Sequence, residues 1–482
     1  MRFNRSTTVA TSSLLVTASF VGNRGLQLLT QIYLARQLSP TDFGVWGMVL
    51  IVTTLSNLFK DKALASVLVQ RGLEDQHLVN AVYSLTITIS VGLFLLQGIA
   101  GWLLAQVFGI ALLWPLVACA GLDFLISAGG GSHGAILARQ MQFQSLAIAD
   151  VSGGIARFVV IVLTVSFGGG VWVFVAGELA LSTVESLLKR WFSRYPFVYQ
   201  LRPDPAAVRA IGSYIRGLAS TNLAVYFNTN CDNFIIGKRL GTEPLGYYNL
   251  AYQLAMLPIF ALSQINRVTF SVLSQRDSAG QRSHICQLLQ VYALVFAPLY
   301  SIGFVVAPML IPFVYGDRWQ QAVPLFQIIV LFAYARGFMA ILGTGLNALD
   351  KPNLNAAINW VLVPLSLSAF WFGAGQLGVT GVAIAVACVL GIVASLWFWI
   401  AVSRVSGWSL SVLVQPIVLP TFAALLAVGL VTQIPTTYAW SVVIQVLGIL
   451  LINGLVVAVG SGGQIPRQIL NWIRQSTRRV KA

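Results

Sequence analysis

Charged side chains are scarce in this sequence. They make up 9% of its 482 residues, against roughly 25% in soluble domains, which excludes an ordinary water-soluble globular chain. Histidine occurs three times, at His77, His133 and His284, far apart and in predicted loops, so no histidine-built metal site is expected. The four cysteines, Cys119, Cys231, Cys286 and Cys388, are dispersed in or beside apolar runs without metal or pairing spacing, and read as free thiols. A G-x-x-x-x-G-K-S/T phosphate loop is lacking, so ATP hydrolysis within the chain is not expected. The glycines of "AGGGSHG" (128–134) lack the flanks of a nucleotide loop and read as a flexible turn, leaving no cofactor motif. Polar sequence is short as well: its longest stretch is about 20 residues, too little for a soluble catalytic domain.

What is present is apolar sequence, 57% of the chain. Runs of about 20 residues, the length a helix needs to cross a bilayer, recur from residue 11 to residue 460. The expected class is an all-α polytopic membrane protein. Its roughly 14 spans lie near 11–34, 43–68, 79–106, 109–128, 145–167, 170–189, 210–236, 246–273, 285–314, 321–347, 353–373, 378–402, 411–432 and 438–460. The first run has no small-residue cleavage site and reads as a retained span. With this count, loops on one side hold eighteen cations and those on the other only Arg36, Lys238, Arg239 and Arg318. Such a bias orients the cation-rich side, with both termini, to the cytoplasm. It also explains the net charge of +15 without nucleic acid.

The turn "LARQLSPTDFGVW" (34–46) is written again as "GKRLGTEPLGYY" (237–248). Laying Arg36 on Lys238 puts Leu38 on Leu240, Gly44 on Gly246 and Trp46 on Tyr248. After a three-residue insertion, "KALASVLVQR" (62–71) lies on "RVTFSVLSQR" (267–276), with Lys62 on Arg267. The copies are six helices apart and run the same way, as in parallel transporter repeats. The expected domains are therefore an N-lobe (1–208), a parallel C-lobe (209–404), two further helices (405–460) and a basic tail (461–482). In that tail Ile465, Ile469, Trp472, Ile473 and Val480 alternate with arginines, as in an amphipathic helix on the inner membrane surface.

Ionisable groups within spans are costly and normally face a cavity or a partner. Arg24, Arg157, Arg267 and Arg336 lie there, and Lys62 joins them if its helix is as long as its repeat partner. Ser13, Thr17, Arg24 and Gln31 form one polar stripe; Asn222, Tyr226, Thr229 and Asn233 form another, beside Asn228 and Asp232. Hydroxyls, amides and an arginine suit a hydrated cavity for an anionic, hydroxyl-rich ligand, since arginine engages phosphate through two parallel donors. The same groups also suit helix-to-helix pairing, for instance Arg24 with Asp232 or Asp123. Most of the acids read as such partners; Asp61, between two lysines, and Asp232 are the candidates for ion coupling. Prolines 258, 298, 308 and 312 suit either hinges or static kinks.

The segments "LARQLSPTDFGVWGM", "LVQRGL", "ILARQMQFQSLAIADVSGG" and "RLGTEPLGYYNLAYQLAMLP", followed by "INRVTFSVLSQR", resemble the bacterial polysaccharide flippases of the MOP superfamily. The likeness is strongest to exporters of lipid-linked repeat units such as those of O-antigen or colanic acid. That resemblance implies two six-helix lobes around a cationic cavity in the cytoplasmic (inner) membrane. It also implies an undecaprenyl-pyrophosphate-linked oligosaccharide as substrate, alternating access, H+ or Na+ as a coupling ion, and a place beside the polysaccharide-assembly machinery. Arg24 and Arg267 fall where related flippases place cavity arginines, with Lys62 at a comparable position. An antiporter of the same superfamily would favour acidic cavity residues, and a membrane glycosyltransferase would need a sizeable external loop.

Overall fold

The turn at Ser39-Pro40-Thr41-Asp42 starts a helix with a reciprocal cap. Ser39 Oγ accepts the Asp42 amide at 3.2 Å while the Asp42 carboxylate accepts the Ser39 amide at 3.0 Å, and Pro40 takes the first helical position, where no amide is needed. The computed structural model describes residues 22–58, 76–200, 205–273, 277–434 and 439–462, without the side chains of 205–221 and most of 260–272. Among these residues the structure is helical and without strands. The chain clusters into two units, Met1–Asn249 and Leu250–Ala482.

The first unit holds α1 (22–37), α2 (Pro40–Asn57), α3 (Gln76–Phe108), α4 (Leu113–Ser127), α5 (Gly130–Arg139), α6 (Phe143–Ser166), α7 (Trp172–Ser193) and α8 (Pro205–Leu240). The helix α9 (Thr242–Leu273) begins there and runs into the second unit. That unit continues with α10 (Ser278–Tyr315), α11 (Ala322–Ala348), α12 (Pro352–Ala385), a π-helical turn (Val386–Val393), α13 (Ala394–Ser406), α14 (Leu410–Val431) and α15 (Ala439–Gly460). Apart from α5, which lies between two expected spans, these elements overlap the expected spans, with ends that differ by up to about seven residues where both are described. Seven described helical segments are long and apolar enough to cross a membrane, eight if α4 and α5 count as one; the chain is a multi-pass helical membrane protein. The 55 residues of Pro352–Ser406 would reach about 80 Å as one straight helix, yet Gly378, at φ 60°, breaks them into two spans.

Two expectations change. The "AGGGSHG" segment is no flexible turn: α4 and α5 meet at a 42° bend, and the glycines let α7 close on it. A methyl on Gly130 would strike the Ser186 backbone at 2.9 Å, and the Ser186 hydroxyl donates to the Ile126 carbonyl at 2.9 Å beside the bend. The three histidines lie on helices, His77 on α3, His133 on α5 and His284 on α10. Residues 195–200, which follow α7, are not helical. They run as a strap along α3, where Gln76, Asn80, Ser84 and Thr88 recur every fourth residue on one face. Gln76 accepts from the Tyr195 hydroxyl at 2.9 Å, Asn80 from the Val198 amide at 3.1 Å and Ser84 from the Gln200 amide at 2.7 Å, while Thr88 and Tyr199 share a bond of 3.2 Å.

The repeated turn returns as a packing motif inside the first unit. Gly44 of α2 faces the carbonyl of Thr242, and Gly246 of α9 faces the carbonyl of Pro40. Those four residues are repeat partners in pairs: Pro40 aligns with Thr242 and Gly44 with Gly246. Each copy thus presents a bare Cα to the other's first-turn carbonyl, as small residues do where helices approach closely. In the second unit Tyr292, Phe296, Tyr334 and Phe338 pack ring on ring between α10 and α11, and Val305, Ala427, Val431 and Ile449 join α10 to α14 and α15.

Candidate functional site

Two neighbouring cavities open in the first unit, on either side of α7. The first, of about 450 Å³, lies between α1, α6 and α7 and is lined by Asn23, Arg24, Gln27, Thr30, Asp150 and Arg157. The second, of about 410 Å³, lies between α2, α4, α5 and α7. Its polar lining includes Asn57, Asp123, Glu178, Ser182, Glu185 and Lys189, and Leu181 borders both cavities.

The first cavity brings together two of the sequence-derived cations, Arg24 and Arg157. Arg24 sits on α1, where Asn23, Gln27 and Thr30 share a face at helical spacing, and its Nη1 donates to Gln27 Oε1 at 2.6 Å. Gly154, one turn before Arg157 on α6, has no side chain, and a methyl there would meet Asn23 Oδ1; α1 can therefore settle against α6. Arg157 crosses the helix seam: its Nη2 lies 2.9 Å from Glu178 Oε1 of α7, while its Nε is buried without a partner. A second ionic link crosses the same seam. Lys189 Nζ lies 3.0 Å from Asp150 Oδ1 and 2.8 Å from Glu185 Oε2. Each link therefore has one member facing each cavity. Asp123 is held differently, as acceptor of the Ser182 hydroxyl.

The remaining candidates separate. Gln31 does not line the first cavity, and its Nε2 is buried without a partner. On α8, Asn222 is exposed, Tyr226 is buried and donates to the Ile51 carbonyl of α2, and the Oδ1 of Asn233 is buried without a partner. Asp232 is almost fully buried and accepts from the Tyr248 hydroxyl at 2.6 Å and from the Asn233 amide at 2.8 Å. Arg336 stands in the second unit over the ring of Phe332, 5.7 Å from its centre. Arg267 lies on α9 with its side chain outside the described residues; Thr17, Asp61, Lys62 and the tail from 463 lie outside them altogether. Sequence reasoning missed the cavity roles of Asn23, Gln27 and Thr30. The signal was present as an i, i+4, i+7 polar spacing, one step out of phase with the stripe through Thr17 and Gln31.

A cavity with two guanidinium groups, two amides and a hydroxyl beside the Lys189-paired carboxylate of Asp150, in a protein set in lipid, offers charge-assisted donors to an anion such as phosphate.

Residues 33–324 match the family described as "Polysaccharide biosynthesis protein". The lipopolysaccharide biosynthesis protein WzxC of Escherichia coli (strain K12) is 26% identical over 409 residues, 83% of this chain and 82% of that protein. The teichuronic acid biosynthesis protein TuaB of Bacillus subtilis (strain 168) is 27% identical over 358 residues, 72% of each chain. Among solved structures, the lipid II flippase MurJ in an inward closed conformation superposes with a TM-score of 0.73 at 14% identity, over 94% of this chain and all of that one. An inward-facing MATE family multidrug resistance transporter of the MOP superfamily gives 0.67 at 15% identity, over 80% and 95%. Those two likenesses establish the fold.

Proposed function

The chain belongs to the polysaccharide biosynthesis protein family, and from that membership we propose that it is a flippase for a lipid-linked oligosaccharide, carrying pyrophosphate-linked repeat units from the inner to the outer leaflet of the bacterial cytoplasmic membrane. The observation that carries this reading is the shared cavity of Arg24 and Arg157. A polyprenyl-pyrophosphate head group supplies the anion that these donors suit, and the sugars supply hydroxyls for the amides around them. Antiport of an organic cation would use carboxylates instead. Glu178, Glu185 and Asp150 are already bound to Arg157 and Lys189, so these carboxylates are not open to an organic cation.

Complementation tests the reading. In a strain that makes the repeat unit but lacks its own flippase, the chain should restore surface polysaccharide. Continued accumulation of lipid-linked intermediate, with the protein present in the membrane, would contradict it. Orientation follows from the loop charges, with both termini cytoplasmic. A cysteine at Thr41 should react with an impermeant reagent in intact cells, and one at Ser278 should not; the opposite pattern would invert the topology.

A further inference from the structure

Arg157 is shared between two claims. Its guanidinium faces the cavity that also holds Arg24, yet one of its nitrogens is engaged by Glu178 at 2.9 Å. The engagement is incomplete: Nε is buried without a partner, although a guanidinium has five donors arranged to meet an oxyanion in parallel pairs. Glu178 in turn is not locked in place. Its side chain is 36% exposed, and it lines the second cavity, where Lys189 stands on the same helix. The carboxylate thus has a polar space to withdraw into. The charged groups that line the two cavities with it are Arg24 from α1, Asp150 and Arg157 from α6, Asp123 from α4, and Glu185 and Lys189 from α7.

Resting on the flippase reading, we propose that Glu178 is a built-in competitor for the substrate's phosphate at Arg157. It holds the guanidinium between substrates and yields it when a pyrophosphate enters the first cavity. The physical need comes from the transport cycle. An arginine without a counter-charge is costly at membrane depth, and a carrier that returned without substrate would expose one. A carboxylate across the helix seam neutralises Arg157 on that return, and a partly exposed ion pair is weak enough to be displaced by a stronger anion. Glu178 is therefore a positioning residue: it touches Arg157 rather than the substrate, and it sets binding against release.

The test uses the full chain in lipid nanodiscs, farnesyl pyrophosphate as the probe and farnesol as the uncharged control. Arg157→Gln should weaken pyrophosphate binding about tenfold, and Glu178→Gln should tighten it by about the same factor, as expected when an internal competitor is removed. Glu178→Asp, which keeps the charge but shortens the reach, should tighten it less, and serves if the glutamine variant fails to accumulate. The double variant Arg157→Gln, Glu178→Gln should match Arg157→Gln alone. In transport, Glu178→Gln should lower both the half-saturating substrate level and the turnover, a split that a general loss of structure would not give. If the wild type binds the probe and both Glu178 variants bind it no more tightly, the competitor role is wrong and the flippase reading stands. If the wild type binds farnesyl pyrophosphate no better than farnesol, both fall.

Discussion

Gly44→Ala will sharply reduce the amount of folded protein in the membrane, and Gly246→Ala will do the same. In both cases the added methyl meets a backbone carbonyl, that of Thr242 or of Pro40, rather than a side chain that could turn away. Overpacking in a filled interior costs about 1–3 kcal/mol. Here the obstacle is part of a helix's first turn, so relief requires the helices themselves to part. Gly47→Ala is the internal control. Its methyl would meet the Asn249 side-chain amide, which can rotate, and its nitrogen has no hydrogen bond to lose. Membrane abundance and thermal stability of the purified full chain should fall for Gly44→Ala and Gly246→Ala alike and stay near wild type for Gly47→Ala. Stable, abundant Gly44→Ala protein would mean that the two copies of the turn do not pack in this way in the membrane.

The double substitution Arg24→Ala, Arg267→Ala should abolish export while the protein still inserts. A desolvated arginine–phosphate contact contributes about 1.5–3 kcal/mol, so its loss weakens binding about 10- to 150-fold. One hydrogen bond of Arg24 is to Gln27, a turn away on its own helix. Lysine at both positions should keep part of the activity, since the charge survives and the paired donors do not. Export measured by complementation, set against membrane abundance, separates loss of binding from loss of protein. Full export by the double alanine variant would remove both arginines from the substrate path.

The helices were legible because bilayer crossing leaves little freedom: length and apolarity mark nearly every described element. The repeated turn was visible as sequence, and the approach of Gly44 to the Thr242 carbonyl and of Gly246 to the Pro40 carbonyl sets its two copies side by side. What could not be read was rotation about helix axes. Whether Arg157 meets Glu178, or Asp123 meets Ser182, depends on how α4, α6 and α7 turn toward one another, and periodicity alone does not fix that phase. The glycines at 129–131 misled for a related reason. In isolation they signal a flexible joint, whereas next to Ser186 and Arg190 they provide room for a neighbouring helix. The Gln76, Asn80, Ser84 and Thr88 ladder was visible as spacing, but its purpose needed the strap that it holds.

That strap also bears on which changes of length the segment after α7 can tolerate. In extended backbone, amides two residues apart point the same way, which is why Val198 and Gln200 both reach α3. Inserting or deleting one residue between Ser193 and Val198 would shift both amides along α3, out of reach of Asn80 and Ser84. The stretch from Ser193 to Gln200 is therefore a ruler, held to its length by the backbone amides that α3 receives.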